Sequence, residues 1–179
     1  CQVTTTTISD AQFDVAQKRI NDADLLQKIT LLKKDYRDLT GEYSKIVSIE
    51  MIEAVGHKFM PTYFGMLDKL LKPGGKSFIQ AITMNDQRYD SYVNNVDFIQ
   101  RNIFPGGHLP SVSVICDLVK NNTNMYMKQL SDYRIDYAKT LSAWRASFLD
   151  NREAIQSLGF NDDFIRLWEY YFSYCEGGF

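Results

Sequence analysis

Four short runs rich in β-branched and apolar residues punctuate the first 84 positions, and helical or turn-forming stretches separate them. They are CQVTTTTI (1–8), KITLL (28–32), KIVSI (45–49) and KSFIQAITM (76–84). Runs this short, rich in branched residues, favour strands. KIVSI has the continuous apolar character of a strand buried in a parallel sheet. After the first run, Ser9 stands at a helix N-cap position with Gln12 three residues on. This is the spacing of a capping box for a helix over 10–20. Lys33 to Asp38 is a polar loop. Tyr63, Phe64, Leu67, Leu70 and Leu71 repeat on one helical face, and Lys72-Pro73-Gly74-Gly75 stops that helix. Strands alternating with helices predict an α/β fold with a doubly wound parallel sheet. Right-handed crossovers then gather the strand C-termini, and with them the ligand crevice, on one edge. Thr7, Asp35, Glu50 and Thr83 fall near that edge.

The second half changes character. Residues 92–103 read as a helix, 104–110 as a rigid Pro-Gly turn, and Ser111 as the cap of a helix through about 121. Residues 125–131 read as a strand. Two amphipathic helices follow, one with Tyr137, Leu141, Trp144 and Phe148 on a face, the other with Phe164, Leu167, Trp168, Tyr171 and Cys175. Segments 92–122 and 134–179 are expected to form a helical cap over the sheet within one partial domain spanning 1–179.

A chain of 179 residues is long enough for one domain with a real core. Lys and Arg number 20 against 22 Asp and Glu, so there is no basic footprint for nucleic acid. No window nears the roughly 18 apolar residues that cross a bilayer, and no signal-peptide pattern is present. The three cysteines are widely spaced and form no CxxC, and with two histidines they make no zinc pattern. They read as reduced thiols of a cytosolic protein. The chain opens at Cys1 directly on a strand with no built-in pairing partner, which leads us to expect a piece of a longer protein.

Four groupings could carry chemistry. Thr7-Ile8-Ser9 with Gln12, at a strand-to-helix junction, could hold a ribose or phosphate, or could be a strand end with an ordinary cap. Asp35-Tyr36 could bracket a nucleobase, or lie in a solvated loop. Glu50 and Glu53 flank apolar residues at a strand exit, where buried carboxylates are costly without partners, unless both face solvent. Tyr137 sits on an otherwise core-like face, where a tyrosine hydroxyl is usually satisfied locally. The sequence has no GxGxxG, P-loop, GxSxG or HExxH.

The runs TTTTISDAQ (4–12), DYRDLTGEYSKIVSIEMIEAVG (35–56), TYFGMLDKLLKPGGKSFIQAIT (62–83), FIQRNIFPGGHLPSV (98–112), DYAKTLSAWRASFL (136–149) and FIRLWEYYFSYCEGGF (164–179) resemble the cyclopropane-fatty-acyl-phospholipid synthase family. This family includes the mycolic acid cyclopropane synthases. The likeness covers essentially the whole chain in order. It implies a class I, Rossmann-like methyltransferase sheet that uses S-adenosylmethionine on a cis double bond of a membrane phospholipid. Methyl transfer would leave a carbocation, and bound bicarbonate would remove a proton to close the ring. Aromatic faces stabilise such a cation, and a dry cleft protects it from water. The resemblance also implies a cytoplasmic protein in peripheral contact with the inner membrane face.

Residue by residue, Thr7, Ile8 and Gln12 match positions near the cofactor ribose, and Asp35 and Tyr36 match the loop beside the adenine. Glu53 matches the acid that holds bicarbonate, Tyr137 a tyrosine that reaches it, and Ile82 a backbone position of the same site. Gln80 stands where the family has a histidine; an amide can donate to an anion but cannot relay a proton. This departure leaves room for a small-molecule methyltransferase, or for a fatty-acid methyltransferase that makes a methyl branch instead of a ring. A non-catalytic acyl-binding homologue is the rival from outside enzymology.

In the family the first strand, with its glycine-rich loop, and the last strand would lie outside these 179 residues. The sheet is then expected as two half-sheets with unpaired edges, prone to self-association. The chain by itself is expected to be inert.

Overall fold

The computed structural model describes residues 1–179. β1 (Val3–Thr6) leads into a turn closed by side chains. The Ser9 hydroxyl accepts the Gln12 N–H, satisfying one of the unpaired amides at the start of α1 (Asp10–Asp22). The expected capping box is not completed. The Gln12 carboxamide oxygen instead accepts from the Thr7 hydroxyl at 2.8 Å, and the Thr7 oxygen accepts the Ser9 N–H at 3.2 Å.

β2 (Ile29–Leu32) pairs parallel with β1, Val3 opposite Ile29 and Thr6 opposite Leu32. A 3-10 turn (Tyr36–Asp38) leads to β3 (Tyr43–Ile49). A single turn of helix, α2 (Ile52–Val55), and a second 3-10 turn (His57–Phe59) precede α3 (Met60–Leu70). β4 (Leu71–Gln80) returns parallel to β3, from Lys45 opposite Lys76 to Ile49 opposite Gln80. The fourth strand therefore ends at Gln80 and not at Met84, because β3 runs out at Ile49 and offers nothing further to pair with. Met84 makes an isolated parallel bridge to Ser111, its N–H donating to the Pro110 carbonyl at 2.8 Å. At the other end the register slips between Tyr43 and Lys45, where the Pro-Gly-Gly segment bulges.

The four strands form two separate two-stranded sheets, β1–β2 and β3–β4, as the half-sheet expectation required. α3 and α2 cover one face of β3–β4. Ile52, Met60, Tyr63, Phe64 and Leu67 are buried there, with Ile46 and Ile79 packed against them. Alternation puts Val47, Ile49 and Phe78 on the opposite face, where they are 65%, 58% and 56% exposed.

The helix expected over 92–103 is not continuous: α4 (Asp86–Val93) ends as that range begins, and only the short α5 (Phe98–Asn102) lies within it. Asp97 starts the second with a reciprocal capping box to Gln100. Ser111 caps α6 (Val112–Asn122) as expected. Residues 125–131 form no strand. At their start the Met125 N–H donates to the Thr123 hydroxyl, and just before them the Asn124 N–H is taken by the distant Asp68 carboxylate.

Residues 1–127 and 128–179 are two compact units. The second holds α7 (Arg134–Asp150), α8 (Arg152–Ser157) and α9 (Asp162–Gly178). Leu141, Ile165 and Phe172 are its buried residues. The centre of the α9 face is thus Ile165 and Phe172, with Phe164, Leu167, Trp168 and Tyr171 half-buried at its flanks. No helix is long and apolar enough to cross a membrane.

Candidate functional site

β3 and β4 end side by side, and the Glu50 N–H closes the pair by donating to the Gln80 carbonyl at 2.9 Å. Glu50 then turns the chain with φ at 48°, a left-handed conformation that costs a residue with a side chain about 1 kcal/mol. The Gln80 carboxamide nitrogen donates to Glu50 Oε1 at 3.0 Å. One helical turn on, Glu53 of α2 reaches back to the same edge, and its Oε1 accepts the Ile82 N–H at 2.6 Å. Glu53 Oε2 is buried and has no hydrogen-bond partner. Burial pushes the Glu53 pKa up, the Ile82 bond opposes this, and repulsion from Glu50 adds to the rise. An unmet buried acceptor costs about 1–3 kcal/mol. A proton on Glu53, or a ligand that brings a donor, removes that cost.

The loop after α5 backs this carboxylate. The His108 N–H donates to the Glu53 carbonyl at 2.8 Å. The buried His108 ring has its Nε2 2.9 Å from the Tyr89 hydroxyl and stacks on His57, with centroids 4.8 Å apart. The Leu109 N–H donates to the Tyr92 hydroxyl at 3.0 Å. Burial holds the His108 pKa down to about 4, so the ring is neutral near pH 7. His57, His108, Tyr89 and Tyr92 were not picked out from the sequence. Their one signal was the Pro-Gly-Gly turn that ends at His108.

Under the edge, Tyr63 donates to the Ser48 hydroxyl at 2.6 Å, and burial pushes the Tyr63 pKa up to about 12. Tyr36 packs edge-on against Tyr63 at 5.8 Å, which ties the Asp35-Tyr36 loop to the same sheet. Both Asp35 oxygens are engaged. One accepts the Arg37 N–H and Nε–H, the other an Arg37 Nη2–H at 2.8 Å, and these bonds lower the Asp35 pKa to about 2. The Arg37 guanidinium in turn lies 5.9 Å from the Tyr36 ring centroid and 5.7 Å from that of Phe59.

The structure therefore brings Gln80, Glu53 and Ile82 together, and adds Glu50 to them. It gathers Thr7 and Gln12 into one hydrogen-bonded turn, with Ile8 73% exposed upon it. Tyr137 belongs to the second unit, where its ring stacks on Phe179 at 4.5 Å. No group of three metal-ligating side chains is present.

These sets meet the two small groups that the resemblance implied. The Thr7 hydroxyl is taken up by Gln12 and Ser9 and the Asp35 oxygens by Arg37, so each meets a nucleoside only through the acceptor lone pairs left over. The orphaned Glu53 oxygen suits an anion that carries its own hydroxyl, such as bicarbonate.

Similarity to known proteins follows the same lines. The chain is 40% identical over 173 residues to a tuberculostearic acid methyltransferase of Mycobacterium tuberculosis, covering 97% of this chain and 40% of that protein. It is 36% identical over 174 residues to the cyclopropane-fatty-acyl-phospholipid synthase of Escherichia coli K12, covering 97% of this chain and 42% of that one. It thus spans about two-fifths of the length of these relatives. A mycolic acid cyclopropane synthase crystallised with SAH and CTAB superposes with a TM-score of 0.87 at 23% identity, over 98% of this chain and 64% of that one. The fold is therefore that of the class I methyltransferases, represented here in part. The family model for mycolic acid cyclopropane synthetases matches residues 1–179, and the chain belongs to that family.

Proposed function

We propose that the protein methylates the cis double bond of an unsaturated phospholipid acyl chain and closes a cyclopropane ring there. S-adenosylmethionine supplies the methyl group in this reading, and bicarbonate the base. The observation that carries it is the buried, unpartnered Oε2 of Glu53 at the strand edge. That atom accepts the hydroxyl hydrogen of bicarbonate and so orients the anion. Ile82 contributes by fixing the other Glu53 oxygen through its N–H. Gln80 keeps a second amide N–H beyond the one given to Glu50 and offers it to the anion. Tyr137, assigned by resemblance, supplies a hydroxyl donor. Thr7, Ile8 and Gln12 hold the ribose side of the cofactor, and Asp35 and Tyr36 the adenine side. The substrate implies peripheral contact with a membrane surface.

A second reading has a specific observation behind it. A relative 40% identical to this chain is named for tuberculostearic acid, and Gln80 stands where the resemblance expects a histidine. In that reading the same methyl transfer ends in a methyl branch.

The test uses the protein as encoded by its gene. Glu53→Gln and Tyr137→Phe should each lower product formation at least tenfold with the circular dichroism spectrum unchanged. Wild-type yield from either variant contradicts its assignment. Lipid analysis of the wild-type product separates ring from branch.

A further inference from the structure

Glu50 has no part in the chemistry proposed above, yet it sits at the centre of the edge that holds Glu53. Its backbone adopts a conformation that glycine reaches freely and a glutamate does not. A side chain kept at such a position, beside a site, points to use of the side chain itself. What that side chain does is visible: it takes the Gln80 amide on its Oε1, while its own N–H takes the Gln80 carbonyl. Two bonds between the same two residues hold the Glu50 carboxylate at the end of the sheet, one turn before Glu53.

We infer that Glu50 is a positioning residue of this site, held in place by Gln80 and acting through Glu53 by the charge it sets there. The inference rests on the reading of Glu53 as the anion-holding acid. The other titratable groups on the elements around Glu53 are Tyr63 of α3, His57 of the 3-10 turn, and Tyr89 and His108 beyond it. Tyr63 and His108 are neutral near pH 7. His57 stacks on the far partner, His108. Glu50 is the acid whose repulsion reaches Glu53. A fixed negative charge there makes the Glu53 carboxylate more basic, and so a stronger acceptor for the hydroxyl that the anion brings. Gln80 accordingly has a different duty from a plain stand-in for the family histidine: it ties down Glu50.

The experiment is an isotope-edited infrared titration of Glu53 in the protein as encoded, with Glu53→Gln to assign the band. Glu50→Gln keeps the size of the side chain and removes its charge, and should lower the Glu53 midpoint. Gln80→Ala should lower it by less, and Glu50→Gln should then add little, because the carboxylate is already released. An unchanged midpoint in a folded Glu50→Gln variant overturns the proposal. So does full additivity of the two changes, which would mean that Gln80 does not hold Glu50. A purely structural Glu50 would alter thermal stability and leave the midpoint alone. The titration needs no turnover: a protein without methyltransferase activity but with the shift refutes the proposed function and leaves this inference standing.

Discussion

His108 is buried against Tyr89 and His57, and desolvation is the main reason its pKa sits near 4. The unfolded chain holds the ordinary value of 6.5, so it takes up the proton first as pH falls. The stability that depends on a neutral His108 is therefore complete above pH 6.5 and is lost progressively towards pH 4. Urea midpoints should fall across that window in the wild type. They should fall less in His108→Asn, whose amide still reaches for the Tyr89 hydroxyl but does not titrate. Equal losses in both proteins would contradict this account. At this scale Glu53, Ile82 and Gln80 were singled out in the sequence by resemblance, and the structure places them at one strand edge. The Glu50–Gln80 pair was not legible. No spacing rule joins positions 50 and 80; their contact exists because parallel register sets Ile49 opposite Gln80. The Asp35 clamp was half legible: the acid was singled out, but not that Arg37 takes both its oxygens.

β4 shows what element-level patterns can and cannot convey. The run Lys72-Pro73-Gly74-Gly75 was read as a helix stop, and α3 does end at Leu70. It also forms the bulge that lets β4 begin early. Gly75 is packed so closely that an added Cβ would lie 2.8 Å from the Lys72 carbonyl oxygen and 2.9 Å from the Leu71 side chain. Backbone cannot yield there cheaply, so Gly75→Ala should cost about 1–3 kcal/mol in chemical denaturation. Gly74→Ala acts through its positive φ of 75° with open space around it, and should cost about 1 kcal/mol. A Gly75→Ala variant no weaker than Gly74→Ala would contradict the close-packing argument. The absent strand at 125–131 has the opposite lesson. Met125, Tyr126 and Met127 are residues a strand would accept, but a strand needs a partner edge, which is a tertiary fact. Likewise Asp97 and Gln100 broke the expected 92–103 helix through a capping box that the apolar pattern concealed.

Across the molecule, two half-sheets leave strand edges unpaired, and Val47, Ile49 and Phe78 form an exposed apolar face on one of them. Edges and faces of this kind recruit another chain. The 179-residue chain in isolation should therefore sediment as a concentration-dependent associating species. Val47→Lys with Phe78→Lys should shift it towards monomer. A wild-type monomer at high concentration would show that these surfaces are benign. The α/β class and the order of its elements were legible from alternating short strands and helices, whereas the division at residues 127 and 128 had no mark in composition. The central claim, methyl transfer to a lipid acyl chain with Glu53 at the reacting edge, is tested most directly by isotope. Cells producing the protein as encoded, fed methyl-labelled methionine, should place one labelled carbon on unsaturated phospholipid acyl chains, and Glu53→Gln should abolish that label. Unlabelled acyl chains in cells with abundant folded protein, or equal labelling with Glu53→Gln, would contradict it.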